Sequence, residues 1–533
     1  MAETRTLGRR NEPREAERPS PILGALVGIL VLAVALATSQ LVAALIAPQS
    51  SPVASVAQRM IDDSPESVKS FAIARFGTHD KLALTIGIIV ILFGLAAALG
   101  VVMLRRPWVG NVAVAVLGLV GCAAALTQPE ATPSWAIPTI AGASIGWLTL
   151  RWLLPRAAPP ATQDTESTTS QEGEDADDGS LERRTFIRRG ATVAIVALGA
   201  AAAAPRLARG RLVGAISRAH VHIPQPRRTV VPPTETPLDV PGLTPLITPN
   251  DRFYRVDTAF IAPQISADSW RLRIHGMVDR EMELGFHELL KRPLIERDVT
   301  LTCVSNRVGG HLAGNAQWVG IPLLPLLQEA GVRSGATQIV GRSPDGMTIG
   351  TPTAVALDGR DSMLAVQMNG QPLPVEHGFP VRMIVPGLYG YESATKWLVD
   401  LELTTDEVTP YWVGRGWARQ VAIRTECRID TPESEAHVAA GAVAIAGVAW
   451  AQHRGIAGVE VRVDDGPWND AVLGPDGGID SWRQWVGRWP ATPGTHTIQA
   501  RATDRAGAVQ TPSVRSPFPS GATGWPRVEV TVG

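Results

Sequence analysis

One cysteine in a polar loop is the residue whose chemistry most needs an explanation. Cys303 stands in TLTCVSNRVGG (residues 300–310), where a short β-type run ends and a loop rich in Ser, Asn and Gly begins. The 533 residues contain only three cysteines and no CxxC pair, a pattern that argues against iron–sulfur clusters and thiolate zinc sites. An isolated cysteine at a strand end is most often a small buried hydrophobe, and a disulfide with Cys427 is the other open alternative.

The composition divides the chain into an apolar part and an ordinary soluble part. Hydrophobic residues make up 45% of the sequence and the mean hydropathy is +0.08, with the excess concentrated before residue 205. The net charge of −1 shows no sign of a nucleic-acid-binding surface, so no nucleic-acid partner is expected.

Four apolar runs in the first 154 residues meet or approach the length of a membrane-spanning helix, about 20 residues. They are residues 22–46, 82–104, 109–127 and 136–154. Polar breaks separate them, which favours a four-helix transmembrane region (1–154) over buried helices of a large soluble domain. No histidine lies inside these runs, so a b-type haem between the helices is not expected.

Basic residues flank the apolar runs unevenly. The head of the chain carries five arginines, Arg105 and Arg106 follow the second run, and Arg151 and Arg156 lie at the exit of the fourth. Residues 128–135 carry none, although residues 47–81 carry four basic residues. The distribution predicts cytoplasmic placement for the three arginine-bearing regions.

Two further segments precede the soluble part. Residues 155–182 are Pro-rich and then acidic, which predicts a disordered linker. Residues 183–205 (RRTFIRRGATVAIVALGAAAAAP) resemble a twin-arginine export signal followed by a fifth apolar helix; a plain fifth membrane helix is the alternative. Both interpretations place everything after residue 205 on the extracytoplasmic face of a multi-pass cell-membrane protein, joined by a Pro-rich tether at residues 206–245.

The remaining chain has two kinds of pattern. Between residues 246 and 405, short β-type runs alternate with short helical pieces, which predicts an α+β domain. From residue 411 to 533, β-type runs separated by Asp-Gly and Pro-Gly turns predict an all-β sandwich. The expected fold class is therefore multi-domain: transmembrane α-helices, a central α+β domain and a C-terminal β-sandwich.

Five landmarks, in order, resemble the sulfite oxidase family of molybdopterin-dependent oxidoreductases. They are PNDRFYRVD (249–257), LTCVSNRVGG (301–310), QWVGIPLLPLL (317–327), the segment MNGQPLPVEHGFPVRMIVPGLYGYESATKWL (368–398), and a final domain similar to the immunoglobulin-like dimerisation domain of the family. The resemblance covers roughly residues 245–530. It implies a molybdenum–molybdopterin cofactor, an enzyme that transfers an oxygen atom, and a possible homodimer.

The resemblance also implies roles for individual residues. Cys303 becomes the only protein ligand of molybdenum, because the pterin supplies the other sulfurs, and a soft thiolate suits such a metal. Arg255 is carried over as a catalytic cation. The cofactor-binding residues implied by matched position are Asn250, Tyr254, Arg255, Ser343, His377, Arg382, Ser393, Thr395 and Lys396. Haem and iron–sulfur groups are not expected in this chain.

The sequence departs from the family in places that concern the substrate. Thr409 stands where sulfite oxidases have an active-site tyrosine, with Tyr411 two residues further on, and Val308 replaces a frequently repeated arginine. A small oxo-compound of the sulfite or sulfoxide type is the expected substrate. The expected partners are an external electron-transfer protein (cytochrome or quinone-linked) and membrane lipid. The alternative is a non-catalytic membrane binding or assembly protein on the same fold, which would be free to lose Cys303 and the pterin-binding cations.

Overall fold

The computed structural model describes residues 20–76, 80–153, 175–209, 213–229 and 238–533. These residues form two compact units. The first contains the described residues of Met1–Asp63 and His79–Arg211, and the second those of Ser64–Thr78 and Leu212–Gly533. The helices before residue 221 are α1 (Pro21–Ile46), α2 (Pro52–Asp63), α3 (Glu66–Phe76), α4 (Asp80–Met103), α5 (Pro107–Leu126), α6 (Ile137–Leu153), α7 (Asp175–Arg209) and α8 (Val213–His220).

The first unit is helical because its apolar runs lack interior proline up to α7, and proline begins α1 and α5, where the missing N–H costs nothing. Helix α1 packs against α4, α6 and α7. The α1–α4 contact is close: a Cβ added to Gly28 would lie 1.9 Å from the carbonyl oxygen of Ala96, so only glycine fits there.

Four helical segments of the described chain are long and apolar enough to cross a membrane. They are Pro21–Ile46, Asp80–Met103, Pro107–Leu126 and Ile187–Leu207. The first three coincide with predicted spans, and the last lies within the predicted fifth apolar helix. The predicted fourth span forms α6, whose 17 residues are at the lower end of the required length.

Two predictions of irregular chain are wrong in part. Helix α7 begins at Asp175, so the described end of the predicted acidic linker is helical; clustered aspartates favour a helix N-terminus electrostatically. The predicted extended tether contains the end of α7 and all of α8. Arg218 of α8 donates to the carbonyl oxygens of Pro372 and Leu373, so this helix is bonded to the rest of the second unit, to which it belongs. Residues 155–174 of the predicted linker and residues 210–212 and 230–237 of the predicted tether lie outside the described residues.

The α+β prediction for the central region is confirmed by two mixed layers of strands and short helices. The strands are β1 (Arg271–Gly276), β2 (Met282–Gly285), β3 (Ile295–Thr302), β4 (Ala313–Pro322), β5 (Gln338–Arg342), β6 (Thr348–Pro352), β7 (Met363–Met368), β8 (Gln371–Pro372), β9 (Arg382–Ile384) and β10 (Asp400–Thr404). The helices are α9 (Phe286–Leu289), α10 (Leu323–Ala330), α11 (Thr353–Ala356) and α12 (Gly390–Ser393).

These strands form two sheets around one hydrophobic core. One sheet has the order β2-β1-β10-β5-β6, and the other has the order β3-β4-β7-β8, with β9 also paired to β7. The β1–β10 pair is parallel and the other pairs are antiparallel. Strand β3 ends at the residue before Cys303, so the second sheet carries the candidate metal ligand.

The C-terminal region, residues 426–533, is built from strands. They are β11 (Glu426–Thr431), β12 (Ala436–Val438), β13 (Gly441–Trp450), β14 (Ile456–Val463), β15 (Asn469–Asp470), β16 (Val472–Leu473), β17 (Arg483–Ala491), β18 (Gly494–Asp504) and β19 (Arg527–Val532). The sheets β11-β13-β17-β16 and β12-β19-β18-β14-β15 enclose a common core. Cys427 is buried in that core, and the described residues contain no Cys303–Cys427 disulfide.

Candidate active site

The loop that follows β3 presents Cys303 at its first position. Strand β3 pairs with β4 along its whole length, and the Cys303 N–H donates to the carbonyl oxygen of Leu312 at 2.9 Å, which extends the ladder to the end of the loop. The Cys303 thiol is partly exposed, and its Sγ lies 2.9 Å from the Ser305 hydroxyl oxygen. We name residues 303–312 the cysteine loop.

The side chain of Asn306 closes the cysteine loop. Its backbone N–H donates to the Cys303 carbonyl oxygen at 3.0 Å, and its Oδ1 accepts from the Leu312 N–H at 2.9 Å. A Cβ added to Gly310 would lie 2.6 Å from that Oδ1, so glycine at 310 leaves room for the Asn306 amide. The Asn-Gly composition of the loop is thus explained by how the loop closes on itself.

Arg382 is a buried cation without a carboxylate partner among the described residues. It begins β9, is 5% exposed, and lies over the Trp318 ring, with its guanidinium carbon 5.1 Å from the ring centroid. Its Nη1 donates to the carbonyl oxygen of His377 at 3.1 Å, whereas its buried Nε has no described hydrogen-bond partner. Burial lowers its pKa to about 10. A buried guanidinium with an N–H that lacks a described partner is suited to bind an anionic ligand.

His377 lies beside Arg382 in the neutral form. Burial is the main cause that lowers its pKa, to about 3, and the charges of Arg382 and Lys396 act in the same direction. Its Nε2 lies 3.0 Å from the carbonyl oxygen of Asn250, and since a carbonyl only accepts, Nε2 carries the proton. His377 therefore ties the first landmark of the sequence to the fourth.

Lys396 has a carboxylate partner. Its Nζ lies 2.7 Å from Asp257 Oδ2 and donates to the carbonyl oxygen of Glu376 at 3.2 Å. Arg255 is more open, with 42% of its side chain exposed, and its Nη2 is 3.9 Å from the same Asp257 oxygen. One buried carboxylate thus holds two predicted cations on one side of the site.

The other predicted residues differ in how their polar atoms are occupied. Asn250 accepts from Asn369 at 2.8 Å and donates to the carbonyl oxygen of Met368 at 3.4 Å. Ser343 donates to Asp345, and Ser393 donates to backbone carbonyl oxygens within its own turn. Thr395 is fully buried, and its hydroxyl has no partner among the described residues.

Tyr254 connects the cysteine loop with the buried cation. Burial raises the pKa of its phenol; the Cys303 thiol adds to this effect and Arg382 opposes it. The Tyr254 ring stacks on Phe253, which packs against the Trp318 ring beneath the Arg382 guanidinium. A Cβ added to Gly390 would lie 3.7 Å from the Tyr254 hydroxyl and 3.8 Å from the carbonyl oxygen of Thr302, the residue before Cys303. Tyr254, Cys303 and Arg382 therefore belong to one neighbourhood.

Tyr411 is held by two cations. Lys69 of α3 donates to its hydroxyl at 3.2 Å, and the Arg415 guanidinium lies over its ring with the guanidinium carbon 3.5 Å from the centroid. Its N–H donates to the Thr348 hydroxyl at the start of β6. Thr409 lies against Gly414. The phenol therefore has defined partners in the loop that contains it.

Sequence reasoning missed three residues that the fold brings to this neighbourhood. Asp257 neutralises Lys396, and its position two residues after Arg255 was the available signal. Tyr389 and Glu426 are nearly fully buried near Cys303, and both the Glu426 carboxyl and the Cys303 thiol raise the pKa of the Tyr389 phenol. No short-range pattern indicates Glu426, which lies 123 positions after the cysteine.

Comparison with known proteins now defines the class. The oxidoreductase molybdopterin binding domain matches residues 259–412. Rat mitochondrial sulfite oxidase is 31% identical over 270 residues, which cover 43% of this chain and 49% of that protein. The Bacillus subtilis oxidoreductase YuiH is 32% identical over 148 residues, or 28% of this chain and 72% of YuiH. Among solved structures, the sulfane dehydrogenase SoxCD of Paracoccus pantotrophus covers 50% of this chain and 74% of that chain, at 24% identity and a TM-score of 0.44.

The chain belongs to the sulfite oxidase family of molybdenum-cofactor oxidoreductases. It spans about half the length of the animal sulfite oxidases that it matches. The family prediction is thereby confirmed, while the roles of individual site residues stay predictions.

Proposed function

We propose that this protein is a membrane-anchored oxidoreductase that transfers an oxygen atom between water and a small oxo-compound of the sulfite or sulfoxide type. The observation that carries the proposal is a series of contacts around Tyr254: its hydroxyl and the carbonyl oxygen of Thr302, the residue before Cys303, both border Gly390, and its ring stacks on Phe253, which packs against the Trp318 ring beneath Arg382. A thiol ready to bind a metal and a buried cation ready to bind an anion lie in one neighbourhood, and one molybdenum–pterin phosphate satisfies both.

The residues present fit that cofactor. Arg382 has a buried Nε without a described partner, and the buried Thr395 hydroxyl likewise has none, so both atoms have hydrogen-bonding capacity for a ligand. Neutral His377 fixes Asn250 and contributes its backbone carbonyl to Arg382. When bound, the molybdenum supplies oxygen-atom transfer with two electrons taken up or released.

Each predicted residue has a proposed part in holding the cofactor. Cys303 supplies the protein's sulfur ligand, and Arg382, with Lys396 at the Asp257 side, supplies positive charge for the phosphate. The residues proposed to contribute further hydrogen bonds or shape are Asn250, Tyr254, Ser343, His377, Ser393 and Thr395. Ser393 acts through the turn it closes, because its hydroxyl already donates to Leu388 and Tyr389.

Arg255 is the proposed catalytic cation. Its side chain is 42% exposed and reaches the buried Asp257 only at 3.9 Å, so solvent and small solutes have access to it. A positive charge in an accessible position attracts and orients an anionic or strongly dipolar oxo-substrate. Thr409 leaves this chain without the family's tyrosine at its matched position, which favours substrates that need no phenol donor.

The placement in the cell is part of the proposal. Apolar helices α1, α4, α5 and the Ile187–Leu207 part of α7 have the length and composition of membrane spans. The arginine distribution and the Arg183-Arg184 pair support an extracytoplasmic oxidoreductase unit. The C-terminal region is proposed to be the family's immunoglobulin-like dimerisation domain, and an external cytochrome or quinone-linked protein to exchange electrons with the metal.

Metal analysis of the purified full chain tests the enzyme proposal. We expect about one molybdenum and one pterin per chain, and turnover of either sulfite or a sulfoxide above that of a Cys303→Ser control. Absence of both molybdenum and pterin from folded protein, made in cells that synthesise the cofactor, would contradict it. A reporter fused after residue 533 and active only outside the cytoplasm tests the orientation; an inactive fusion would contradict it.

A further inference from the structure

The rear of the cysteine loop is connected to the C-terminal region by hydrogen bonds. Gln452, 1% exposed, donates to the Thr300 carbonyl oxygen at 2.9 Å and to the Thr302 hydroxyl at 3.1 Å. The Trp482 N–H donates to the Thr300 hydroxyl at 2.7 Å, and the Thr300 N–H donates to the carbonyl oxygen of Asp480 at 2.9 Å. Two of the last three residues of β3 before Cys303, Thr300 and Thr302, are thus hydrogen-bonded from a different region of the fold.

The loop itself is contacted in the same way. Arg428 of β11 donates to the carbonyl oxygen of Gly310 at 3.3 Å. Glu426, the first residue of β11, is 4% exposed, and its carboxyl lies beside the Asn306 amide, which lowers the pKa of Glu426 against the larger effect of burial. Asn306 Nδ2 is buried and has no hydrogen bond of standard geometry to any other described residue.

Burying a carboxyl group is costly unless it serves a partner. Glu426 has Arg424 nearby, yet the Arg424 Nη2 is directed to Ser520 and its buried Nε has no described partner. The other polar groups beside the Glu426 carboxyl are the Tyr389 phenol and the Asn306 amide, whose Oδ1 closes the cysteine loop. An acceptor at this place fixes which way the amide points, and so keeps Oδ1 toward Leu312.

We propose that Glu426 and Gln452 are positioning residues for the metal site: the C-terminal region holds the Cys303 thiol in place through the Asn306 amide and through the end of β3. This assignment of Cys303 as the metal ligand rests on the proposed function. The C-terminal region is in this view a part of the active-site wall, whatever its role in oligomerisation. In other metal sites, hydrogen-bond partners of the ligating residues fix the orientation of the ligands. Here the partners of the cysteine loop have the same role for Cys303.

The test compares two replacements of Glu426 and one control variant in the full chain. Glu426→Gln keeps an acceptor oxygen and the volume, Glu426→Leu keeps the volume without an acceptor, and Glu460→Gln is a matched control on β14, where Glu460 pairs with Arg501. Hydrogen exchange of the peptide 303–312 is measured in protein made without cofactor. We expect about tenfold faster exchange in Glu426→Leu, and rates within about twofold of wild type in the other two.

Protein loaded with cofactor provides a second measurement. The electron paramagnetic resonance spectrum of the bound metal is the readout, and we expect Glu426→Leu to change it and Glu426→Gln to leave it as in wild type. Equal exchange and equal spectra in Glu426→Leu and wild type would overturn the proposal. Equal disturbance in the Gln and Leu variants would also overturn it, since an acceptor oxygen at position 426 would then make no difference.

If Glu426→Leu does not fold, Gln452→Met tests the second contact, which joins Gln452 to the end of β3. It removes two donors to β3 while keeping the length of the side chain, and we expect faster exchange at Thr300–Cys303; unchanged exchange there would overturn the role of Gln452. If the protein never contains molybdenum, the function proposed above fails, while the exchange measurements still decide whether Glu426 and Gln452 hold the loop.

Discussion

Cys303 has a buried cation on one side and the C-terminal region on the other, and the two sides are bonded differently. Toward Arg382, the buried guanidinium Nε and the Thr395 hydroxyl lack described partners, so both have hydrogen-bonding capacity for a ligand. Toward the C-terminal region, Gln452 and Trp482 donate to Thr300, three residues before Cys303, although Asn306 Nδ2 and Gln452 Oε1 are also buried without described partners. The side with the buried cation is therefore suited to receive an anionic ligand, whereas the C-terminal side is bonded to the strand that carries Cys303.

Among these variants, Cys303→Ser should have the largest effect on turnover. A hydroxyl is a poor ligand for a metal that prefers soft thiolates, so turnover should fall to background while the hydrogen bonds behind the loop are kept. The measurement is turnover of sulfite and of a sulfoxide, alongside pterin content and melting temperature. Full activity with molybdenum still bound would remove Cys303 from the proposed centre.

Arg382→Gln tests the side of Cys303 that contains the buried cation. Losing a buried partner of an anion typically costs 2–5 kcal/mol, so pterin retention should fall by about 10²-fold or more. In the absence of cofactor the variant should melt no lower than wild type, because an unpaired buried cation destabilises the fold. Arg273→Gln, at an exposed pair with Glu281, is the control. A lower melting temperature with normal pterin retention would show that Arg382 serves the fold alone.

Glu426→Gln tests the C-terminal side of Cys303 and the dependence of the protein's stability on pH. Burial raises the pKa of Glu426 from 4.5 to about 8, against smaller opposing effects of Arg424 and Asn306; the other titratable groups around it are Tyr389 and Cys427. A raised carboxyl pKa gives stability that is present below 4.5 and is lost as the pH rises through 8.

Wild-type protein should therefore lose melting temperature relative to Glu426→Gln between pH 5 and pH 8. The difference in unfolding free energy can change by at most about 1.4 kcal/mol per pH unit for one proton. Thermal unfolding across this range measures it, with Glu460→Gln as the control that should follow wild type. A constant difference between wild type and Glu426→Gln would show that Glu426 does not titrate in this range.

The sequence indicated candidate residues on the Arg382 side of Cys303 and none on the C-terminal side, for a physical reason. Cys303, His377 and Arg382 belong to landmarks whose residue types carry chemistry, and the strands around them show β-type runs. Glu426 begins β11 and Gln452 lies in the turn after β13, and their importance depends on side-chain contacts with the cysteine loop and with β3 that form only in the folded chain. The linker prediction was wrong for residues 175–182 for a similar reason, because no apolar periodicity indicates the helix that begins at Asp175.

Tyr411→Phe should have the smallest effect and decides how the missing family tyrosine is to be understood. The Tyr411 hydroxyl accepts from Lys69, and its ring lies beneath Arg415, so the phenol has a local role in joining α3 to the loop before β11. Removing one such hydrogen bond costs about 0.5–1.5 kcal/mol, which predicts a change in kcat/KM within about tenfold.

The alternative is that Tyr411 serves the substrate in place of the residue at 409. Loss of a positioned donor to the reacting oxygen would then cost about 10²- to 10³-fold in kcat. Lys69→Met separates the two cases, because it removes the same hydrogen bond and leaves the phenol in place. Equal small effects of Tyr411→Phe and Lys69→Met would place Tyr411 outside the chemistry. A large effect of Tyr411→Phe alone would make it the substrate donor, and would overturn the inference that this chain turns over its oxo-compound without a phenol.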